Sequence, residues 1–429
     1  MTKLWLQNLP EKWKTVRLKT VVELKTLRAN GSSTKENYIG LENIEPWTGR
    51  LLKSAMSENT SNDEDEKESV VSRFKPGNIL FGKLRPYLAK VHLAQEYGIC
   101  TTELLVLNPS EVLFGRFVIY VLLTPEFINL VNAETFGARM PRADWNTIGD
   151  LLIPLPSLAE QIAIANYLDH ETAKIDKLIS AKERLLELLS EKRQALIFHS
   201  VTRGINPKSP MRHSGLEWIG EIPAHWEVVK VKYVAKVGNG STPLRDNKAY
   251  WENGTFPWLT STVVNDDVIG EPTEFVTEIA LQECHLPIVQ SGSVLVAITG
   301  EGKTRGKAAL LSYPATINQH LTFIFPQPNL LIPEFLQLFL SSSYEILRMI
   351  SEGTGSTKGA LTCEQLSEFV LPLPPLIEQQ QIITILTQNK VNLDTLTRVS
   401  SETIKLLQER RAVLITDAVS GKMKLPDVP

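Results

Sequence analysis

One segment occurs twice in this chain, and the repeat constrains its fold more than any other feature. Residues 154–161 read Pro-Leu-Pro-Ser-Leu-Ala-Glu-Gln, and residues 372–379 read Pro-Leu-Pro-Pro-Leu-Ile-Glu-Gln. The offset of 218 residues continues without a gap, and 17 of the 48 positions in 154–201 are identical to their counterparts in 372–419. A repeat at a fixed offset indicates one structural unit used twice. We therefore expect two similar halves, each ending in the repeated segment.

The repeated segments have the pattern of long helices. Residues 158–200 contain no Pro or Gly, and apolar residues recur at multiples of seven. This spacing is typical of a helix that packs along one seam against a second helix. A single copy would favour a helix packed on its own domain, but two copies favour pairing with each other. The predicted coiled-coil seam consists of Leu168, Ile175, Leu178, Leu189, Leu196, Leu386, Leu393, Leu396, Leu407 and Leu414.

The two regions that precede the helical segments resemble each other less closely, and their sequence patterns predict mixed α/β domains. Each opens on a similar motif, Leu-Pro-Glu-Lys-Trp at 9–13 and Ile-Pro-Ala-His-Trp at 222–226, where the tryptophans are expected to be packing anchors. Strands are predicted at 78–81, 102–107, 294–298 and 321–325, and helices at 117–130 and 333–349. Residues 57–69 read as an acidic loop. The predicted domains are 1–153, 154–203, 204–371 with a linker at 204–213, 372–421, and a tail at 422–429.

Composition limits the possible classes of protein. The 429 residues are 43% hydrophobic and 22% charged, as in a globular protein. No apolar run approaches the length of about 20 residues that a membrane span needs, so we expect a cytoplasmic protein without membrane contact. The three cysteines lie far apart, which argues against structural zinc or disulfides. A net charge of −3 means that any nucleic-acid binding depends on local positive charge or on a partner.

Several motifs together resemble a known family. Residues 214–226 (Ser-Gly-Leu-Glu-Trp-Ile-Gly-Glu-Ile-Pro-Ala-His-Trp), Gly-Ser-Thr-Pro at 240–243, Tyr-Trp-Glu-Asn-Gly at 250–254 and Pro-Trp-Leu-Thr at 257–260 look like the start of a target-recognition domain. The Pro-Leu-Pro-x-Leu-x-Glu-Gln motif looks like the opening of that family's helical regions. Over essentially its whole length, the chain resembles the specificity subunit of type I restriction–modification enzymes.

The resemblance implies an α+β fold with two globular recognition domains separated by a long antiparallel coiled coil, in pseudo-twofold symmetry. Each domain is expected to read one half of a bipartite, asymmetric target in double-stranded DNA, while the helices set the spacer. The implied partners are two methyltransferase subunits and, through them, restriction subunits. S-adenosylmethionine, ATP and magnesium are expected in those partners, with no cofactor, metal or catalytic residue in this chain.

Cationic and amide side chains near predicted loops are the candidates for DNA contact, since Arg pairs with guanine, Asn or Gln with adenine, and Lys or Thr with phosphate. In the first domain they are Lys83, Arg85, Tyr87, Lys90, Arg139 and Arg142. In the second they are Thr242, Arg245, Lys303, Thr304, Arg305, Lys307, Asn318, Gln319, His320, Ser356 and Lys358. A single Lys or Arg of this kind is more often a solvated surface charge than a DNA contact, so each cluster is stronger evidence than any of its members.

Two other functions compete with DNA recognition. Residues 297–304, Ala-Ile-Thr-Gly-Glu-Gly-Lys-Thr, loosely match a phosphate-binding loop and would make the chain a nucleotide-binding enzyme. Such a loop should open a helix, however, and Gly306 and Pro314 interrupt this one. The other alternative is a coiled-coil scaffold. A methyltransferase is disfavoured because the sequence contains no Asn-Pro-Pro or Asp-Pro-Pro motif.

Overall fold

The computed structural model describes residues 4–7, 9–30, 37–52, 70–137, 139–300, 302–352 and 359–423. Its contacts divide the chain into two units, residues 1–184 with 401–429 and residues 185–400. Each unit combines one globular α/β domain with a part of each long helix. The predicted domain limits at 153/154 and 371/372 fall a few residues before the long helices begin, and as domain boundaries they stay predictions.

Among its described residues, the first unit has ten strands and four short helices before its long helix. The strands are β1 Lys14–Arg17, β2 Val22–Lys25, β3 Arg28–Asn30, β4 Tyr38–Ile39, β5 Val70–Phe74, β6 Ile79–Gly82, β7 Val91–Leu93, β8 Gly98–Thr101, β9 Leu104–Pro109 and β10 Leu152–Leu155. The helices are α1 Leu18–Val21, α2 Gly115–Leu122, α3 Pro125–Ala133, α4 Trp145–Asp150 and α5 Leu158–Arg203. Single 3₁₀ turns lie at Leu4–Leu6, Leu41–Asn43 and Pro86–Leu88.

The second unit has a similar order of elements. Its strands are β11 Met211–His213, β12 Glu221–Pro223, β13 Glu227–Lys230, β14 Ala235–Asn239, β15 Phe256–Leu259, β16 Phe275–Val276, β17 Val294–Ala297, β18 Ala308–Leu310, β19 Thr316–Ile317, β20 Leu321–Pro326 and β21 Val370–Leu373. Its helices are α6 Val231–Val234, α7 Glu278–Glu283, α8 Pro333–Ser342, α9 Tyr344–Glu352, α10 Cys363–Glu368 and α11 Leu376–Val419, with 3₁₀ turns at Lys248–Tyr250 and Ser261–Asn265.

Sheet topology shows that the two domains are built alike. The antiparallel sheet β2-β9-β6-β7 of the first corresponds to β14-β20-β17-β18 of the second. A second sheet contains one parallel pair in each domain, β4 with β8 and β15 with β19. The strand that precedes each long helix pairs with the strand that directly follows the tryptophan of the opening motif, β10 with β1 and β21 with β13. The repeat predicted from the sequence is therefore present in the fold, and the four predicted strands are confirmed.

The two predicted domain helices are each broken in two. The first ends at Leu122, and α3 begins at Pro125, which has no N–H to continue the earlier hydrogen-bond ladder. The side chain of Thr124 caps α3 by accepting from the N–H of Phe127 at 3.3 Å. In the second domain the break falls at the buried Ser343. Both helices pack on their sheet, with Phe117, Phe127, Phe335 and Phe339 fully buried.

One set of side-chain bonds joins each long helix to its domain. Gln161 is fully buried; its Oε1 accepts from the N–H of Phe114 at 2.8 Å, and its Nε2 donates to the carbonyls of Val112 and Pro156. Gln379 makes the same three bonds in the second unit, to Ile332, Leu330 and Pro374. The repeated Glu-Gln dipeptide therefore holds the start of each helix on the domain.

In each unit α5 and α11 run antiparallel. In the first unit Arg411 Nε donates to Asp176 Oδ1 at 2.9 Å, and the start of α5 shares a core with the end of α11. In the second unit Arg193 Nη1 donates to Asp394 Oδ1 at 3.0 Å, and the end of α5 shares a core with the start of α11. The repeat offset relates these two ion pairs residue by residue. The predicted fold class, two mixed α/β domains with paired antiparallel helices, is confirmed.

The predicted seam needs one correction. Leu168, Ile175, Leu189, Leu386 and Leu393 are buried, and Leu196, Leu407 and Leu414 are half-buried. Leu178 and Leu396, which are equivalent by the repeat, are 53% and 51% exposed and lie off the seam.

The buried face of α5 is rotated because the helix packs against its domain as well as against α11. Thr172 occupies the position four residues after Leu168, and it is buried against Tyr120 of α2. The buried residues of α5 are therefore spaced by four and then three residues, from Leu168 to Thr172 to Ile175. The predicted seam instead takes a step of three residues after Ile175, which reaches Leu178. Leu178 consequently remains about half exposed.

No single helix among the described residues is long and apolar enough to cross a membrane, although the bent pair α2 and α3 meets the length and composition test. The predicted acidic loop at 57–69 lies outside the described residues.

Candidate nucleic-acid interface

Two segments of the first unit that carry predicted DNA contacts lie side by side. The N–H of Arg85 donates to the carbonyl of Pro141 at 2.7 Å, and the N–H of Ala143 donates to the carbonyl of Lys83 at 2.9 Å. These bonds join residues 83–85 to residues 141–143, although the two segments are more than fifty positions apart in the sequence. We call the resulting patch the first basic surface, and it consists of Lys83, Arg85, Tyr87, Arg139 and Arg142.

Arg85 combines an exposed side chain with an unusual backbone conformation. It is exposed, and its backbone has a φ of 51°, a left-handed conformation that is costly for a residue with a Cβ. It precedes the 3₁₀ turn Pro86–Leu88, which leaves Tyr87 45% exposed. Within the described part of the chain, neither Arg85 nor Arg139 has an ion-pair partner. Both guanidinium groups are thus available to an external acceptor.

Two other predicted cations of this domain bind groups of the domain itself. Arg142 binds Glu103 in a bidentate ion pair, with Nε at 3.1 Å and Nη2 at 3.0 Å from the two carboxylate oxygens. Lys90 donates to the carbonyl of Leu41, and burial lowers the pKa of Lys90. DNA contact by these two residues stays a prediction, and the geometry favours Arg85 and Arg139 over them.

In the second unit the predicted residues form a polar cluster at the turn between β19 and β20. Gln319 and His320 are exposed. Thr242 donates to Gln319, and the Nδ1 of His320 lies 2.8 Å from the hydroxyl of Thr299. Asn318 is buried, and its Oδ1 accepts from the N–H of His320 at 3.0 Å, so it shapes the turn. We call Thr242, Thr299, Gln319 and His320 the second polar surface.

Arg245 is held within the second domain. Its guanidinium lies 4.1 Å from the ring centre of Trp251 and 4.6 Å from that of Trp258, which are cation–π contacts. Its Nη1 also donates to Glu274 at 2.7 Å. Half of the side chain remains exposed, but its charge already has a partner. Contact between Arg245 and DNA stays a prediction.

The structure corrects the assignment of Arg305. The residue is only 5% exposed, and its Nη1 donates to the carbonyl of Gly359 at 2.6 Å. A guanidinium held in this way cannot reach a base edge without losing that bond and exposing the packed loop. Arg305 is a structural residue of the second domain.

The residues that resembled a phosphate-binding loop do not open a helix. After Lys303 and Thr304 the chain turns into strand β18, and the carbonyls of Gly302 and Lys303 accept from Arg348 and Tyr344 of α9. A phosphate loop needs N–H groups converging at a helix N-terminus. In the described part of this segment, the backbone carbonyls accept hydrogen bonds from side chains instead. This arrangement contradicts the nucleotide-binding alternative.

The remaining cations of the second domain have mixed environments. Lys303 is exposed, and Lys307 donates to the side chain of Asn265 at 3.1 Å. Ser356 and Lys358 lie outside the described residues.

Two apolar residues next to the first basic surface were not predicted to take part. Phe136 is 61% exposed and Met140 is 56% exposed, on the turn that carries Arg139. An apolar side chain placed between Arg139 and Arg142 in a Gly- and Pro-containing turn is the sequence signal that could have identified Met140.

None of the described cysteines Cys100, Cys284 and Cys363 forms a disulfide. In the described ranges, no group of three or more His, Cys, Asp or Glu side chains is placed to hold a metal ion. The absence of a cofactor from this chain stays a prediction.

Comparison with known proteins identifies the family. The family model for the type I restriction modification DNA specificity domain matches residues 10–188 and again 223–412. The chain is 26% identical over 178 residues to the EcoR124I/EcoR124II specificity subunit of Escherichia coli, which is 41% of this chain and 43% of that relative. It is 35% identical over 175 residues to the MjaIX specificity subunit of Methanocaldococcus jannaschii, 39% of each chain. The matched region thus spans less than half the length of either relative.

A solved structure from work on complex assembly and conformational transition of the type I R-M system has the same fold. Its TM-score is 0.74 at 20% identity, and the match covers 97% of this chain and all of the other.

Proposed function

The chain belongs to the type I restriction modification DNA specificity family, and we propose that it is the subunit that recognises the DNA sequence in a type I restriction–modification complex. In this proposal each globular domain reads one half of a bipartite, asymmetric target. The observation that carries it is the first basic surface, where the backbone brings together two exposed guanidinium groups without ion-pair partners among the described residues.

Arg85 and Arg139 are the proposed base readers of the first domain. A guanidinium can donate two parallel hydrogen bonds to the O6 and N7 of guanine in the major groove. The restricted backbone of Arg85 limits the directions that its side chain can take, which favours discrimination over general attraction to phosphate. Lys83, half-buried beside Arg85, is the proposed phosphate contact.

The second polar surface is the proposed reader of the other half-site. Gln319 presents an amide that can pair with the N6 and N7 of adenine. Its bond from Thr242 and its neighbour His320 orient this amide before DNA arrives, which lowers the entropy lost on binding. The different chemistry of the two surfaces, guanidinium in one and amide in the other, is consistent with an asymmetric target.

We further propose that the helices set the spacer of the target and dock two methyltransferase subunits. Helix α5 has 46 residues, about 69 Å at 1.5 Å per residue. Apolar side chains that lie off the seam, including Leu178, Leu188, Leu396 and Leu406, are more than a third exposed. Restriction subunits would join through the methyltransferase, and those partners would carry S-adenosylmethionine, ATP and magnesium. A cytoplasmic location and the absence of catalysis by this chain stay predictions.

The proposed function is tested by mapping methylated adenines in cells with and without this chain. Loss of one split motif upon deletion of the chain is the expected result. Replacement of residues 1–153 by the corresponding domain of another family member should then change one half-site only. If no motif depends on the chain, it is a scaffold without a role in DNA recognition; if the replacement alters both half-sites, the two domains do not read independently.

A further inference from the structure

The turn that carries Arg139 is joined at its base by backbone hydrogen bonds and presents apolar side chains to solvent. Phe136 and Arg142 exchange two backbone hydrogen bonds of 3.0 Å, which close the turn at its base. Gly137 has a φ of 91°, and a Cβ there would lie 3.1 Å from the carbonyl oxygen of Met140, so the turn requires glycine. Phe136 and Met140, 61% and 56% exposed, project from a closed loop.

This turn is fixed to the first basic surface. Arg85 donates from its backbone to Pro141, next to Met140, and Arg139 is adjacent to it in the chain. The exposed apolar groups therefore lie among cations that have no described ion-pair partner. Such a combination suits a polyanion whose interior is apolar. Duplex DNA has this construction, with phosphates outside and stacked bases inside.

We propose that Met140, supported by Phe136, inserts between two stacked base pairs in the half-site read by the first domain and bends the duplex there. This proposal rests on the proposed function and adds to it a further way in which the chain recognises DNA sequence. An unbranched thioether is slender enough to enter an opened base step, and such wedges cost a few kcal/mol of unstacking, which the added protein–DNA contact offsets. Flexible steps open more easily than stiff ones, so Met140 selects sequence without hydrogen bonds to a base.

The experiment uses the full chain assembled with its methyltransferase partner and duplexes that contain the motif found by methylation mapping. 2-Aminopurine is placed in turn at each position of the half-site, because its fluorescence rises when it is unstacked. The wild-type complex should give a rise at one step distinct from the methylated adenine. Met140→Ala should abolish that rise and leave the signal at the methylated adenine unchanged. Leu27→Ala, which removes a similar side chain that is 65% exposed elsewhere in this unit, should retain both signals.

A mismatch at that step provides a second measurement, because it reduces the stacking that the wedge must break. The wild-type complex should bind the mismatched duplex about tenfold more tightly than the matched one. Met140→Ala should bind both alike, and Phe136→Ala should show a partial loss of this preference.

The outcomes separate the wedge from the proposed function. Equal fluorescence and equal affinity for wild type and Met140→Ala would overturn the wedge and leave sequence recognition intact. Failure of Met140→Ala to assemble with the methyltransferase would also overturn it, because the turn would then be a protein contact. A wild-type complex that does not distinguish the motif from random DNA would instead overturn the proposed function.

Discussion

The indole N–H of Trp226 donates to Oε2 of Glu378 at 2.9 Å. Trp13 makes the equivalent bond to Glu160, at 3.1 Å, in the first unit. Each bond connects the motif that opens a domain to the motif that opens a long helix. The predicted role of both tryptophans as packing anchors is confirmed, and the repeated glutamates are explained as their acceptors.

The buried glutamine next to Glu378 should be essential for stability. Gln379→Ala leaves the N–H of Ile332 and two carbonyls without their partner, and we expect a loss of about 3 kcal/mol in the free energy of unfolding. Urea denaturation followed by circular dichroism measures it. Gln380→Ala, one residue along and exposed, is the matched control and should change stability by less than about 0.5 kcal/mol.

The two equivalent ion pairs between α5 and α11 should contribute unequally. The side chains of Arg411 and Asp176 are 10% and 11% exposed, whereas those of Arg193 and Asp394 are 36% and 50% exposed. Arg411→Ala should lower the free energy of unfolding by about 3 kcal/mol, because it removes an ion-pair partner of the buried Asp176 carboxylate. Arg193→Ala should cost less than about 1 kcal/mol. Equal losses in urea denaturation would show that burial does not set the difference.

Leu178 should be dispensable for folding, unlike its heptad partner Leu168. Leu168→Ala removes a fully buried side chain and should cost about 2–5 kcal/mol, whereas Leu178→Ser should stay within about 0.5 kcal/mol of wild type. If the outer face docks the methyltransferase, Leu178→Ser should also weaken assembly, measured by analytical ultracentrifugation. A large loss of thermal stability in Leu178→Ser would show that Leu178 belongs to the seam between the helices.

Substitutions of Arg85 should separate charge from geometry. Arg85→Ala should weaken binding to the target by about 1–3 kcal/mol and relax specificity in one half-site. Arg85→Lys keeps the positive charge but cannot make a bidentate bond, so it should preserve the salt dependence of binding and still relax specificity. Fluorescence anisotropy at several salt concentrations measures both properties. Unchanged specificity in Arg85→Lys would show that Arg85 contacts a phosphate group and not a base.

His92 should make the first unit sensitive to acid. Burial lowers the pKa of His92 below its ordinary value of 6.5, against a smaller opposing effect of its hydrogen bond to the carbonyl of Gly49. The unfolded chain therefore binds a proton more readily than the folded one, and stability should fall as the pH drops below about 6.5. His92→Gln should flatten this part of the stability profile in urea denaturation, whereas His199→Gln, at an exposed position on α5, should leave it unchanged.

Much of the architecture could be predicted because local sequence patterns specify it. The Pro-Leu-Pro-x-Leu-x-Glu-Gln repeat, the absence of Pro and Gly from 158–200 and the apolar strand cores all act through neighbouring residues and backbone geometry. The break at Thr124 is marked in the sequence by Pro125, which cannot continue a helix. The break at Ser343 has no such signal, since an apolar run looks the same whether one helix or two occupy it.

The sequence by itself determined that two similar halves exist, that each ends in a long helix, and that cations cluster around residues 83–90 and 139–142. Only the tertiary structure decided which of the candidate cations in both domains remain available. Arg85 and Arg139 are left without ion-pair partners in the described chain, while Arg142, Arg245 and Arg305 are bound by residues distant in sequence. The same holds for the helix face, where Thr172 is buried and Leu178 exposed. Periodicity defines a helical stripe, but the surfaces packed against the helix select which stripe is covered.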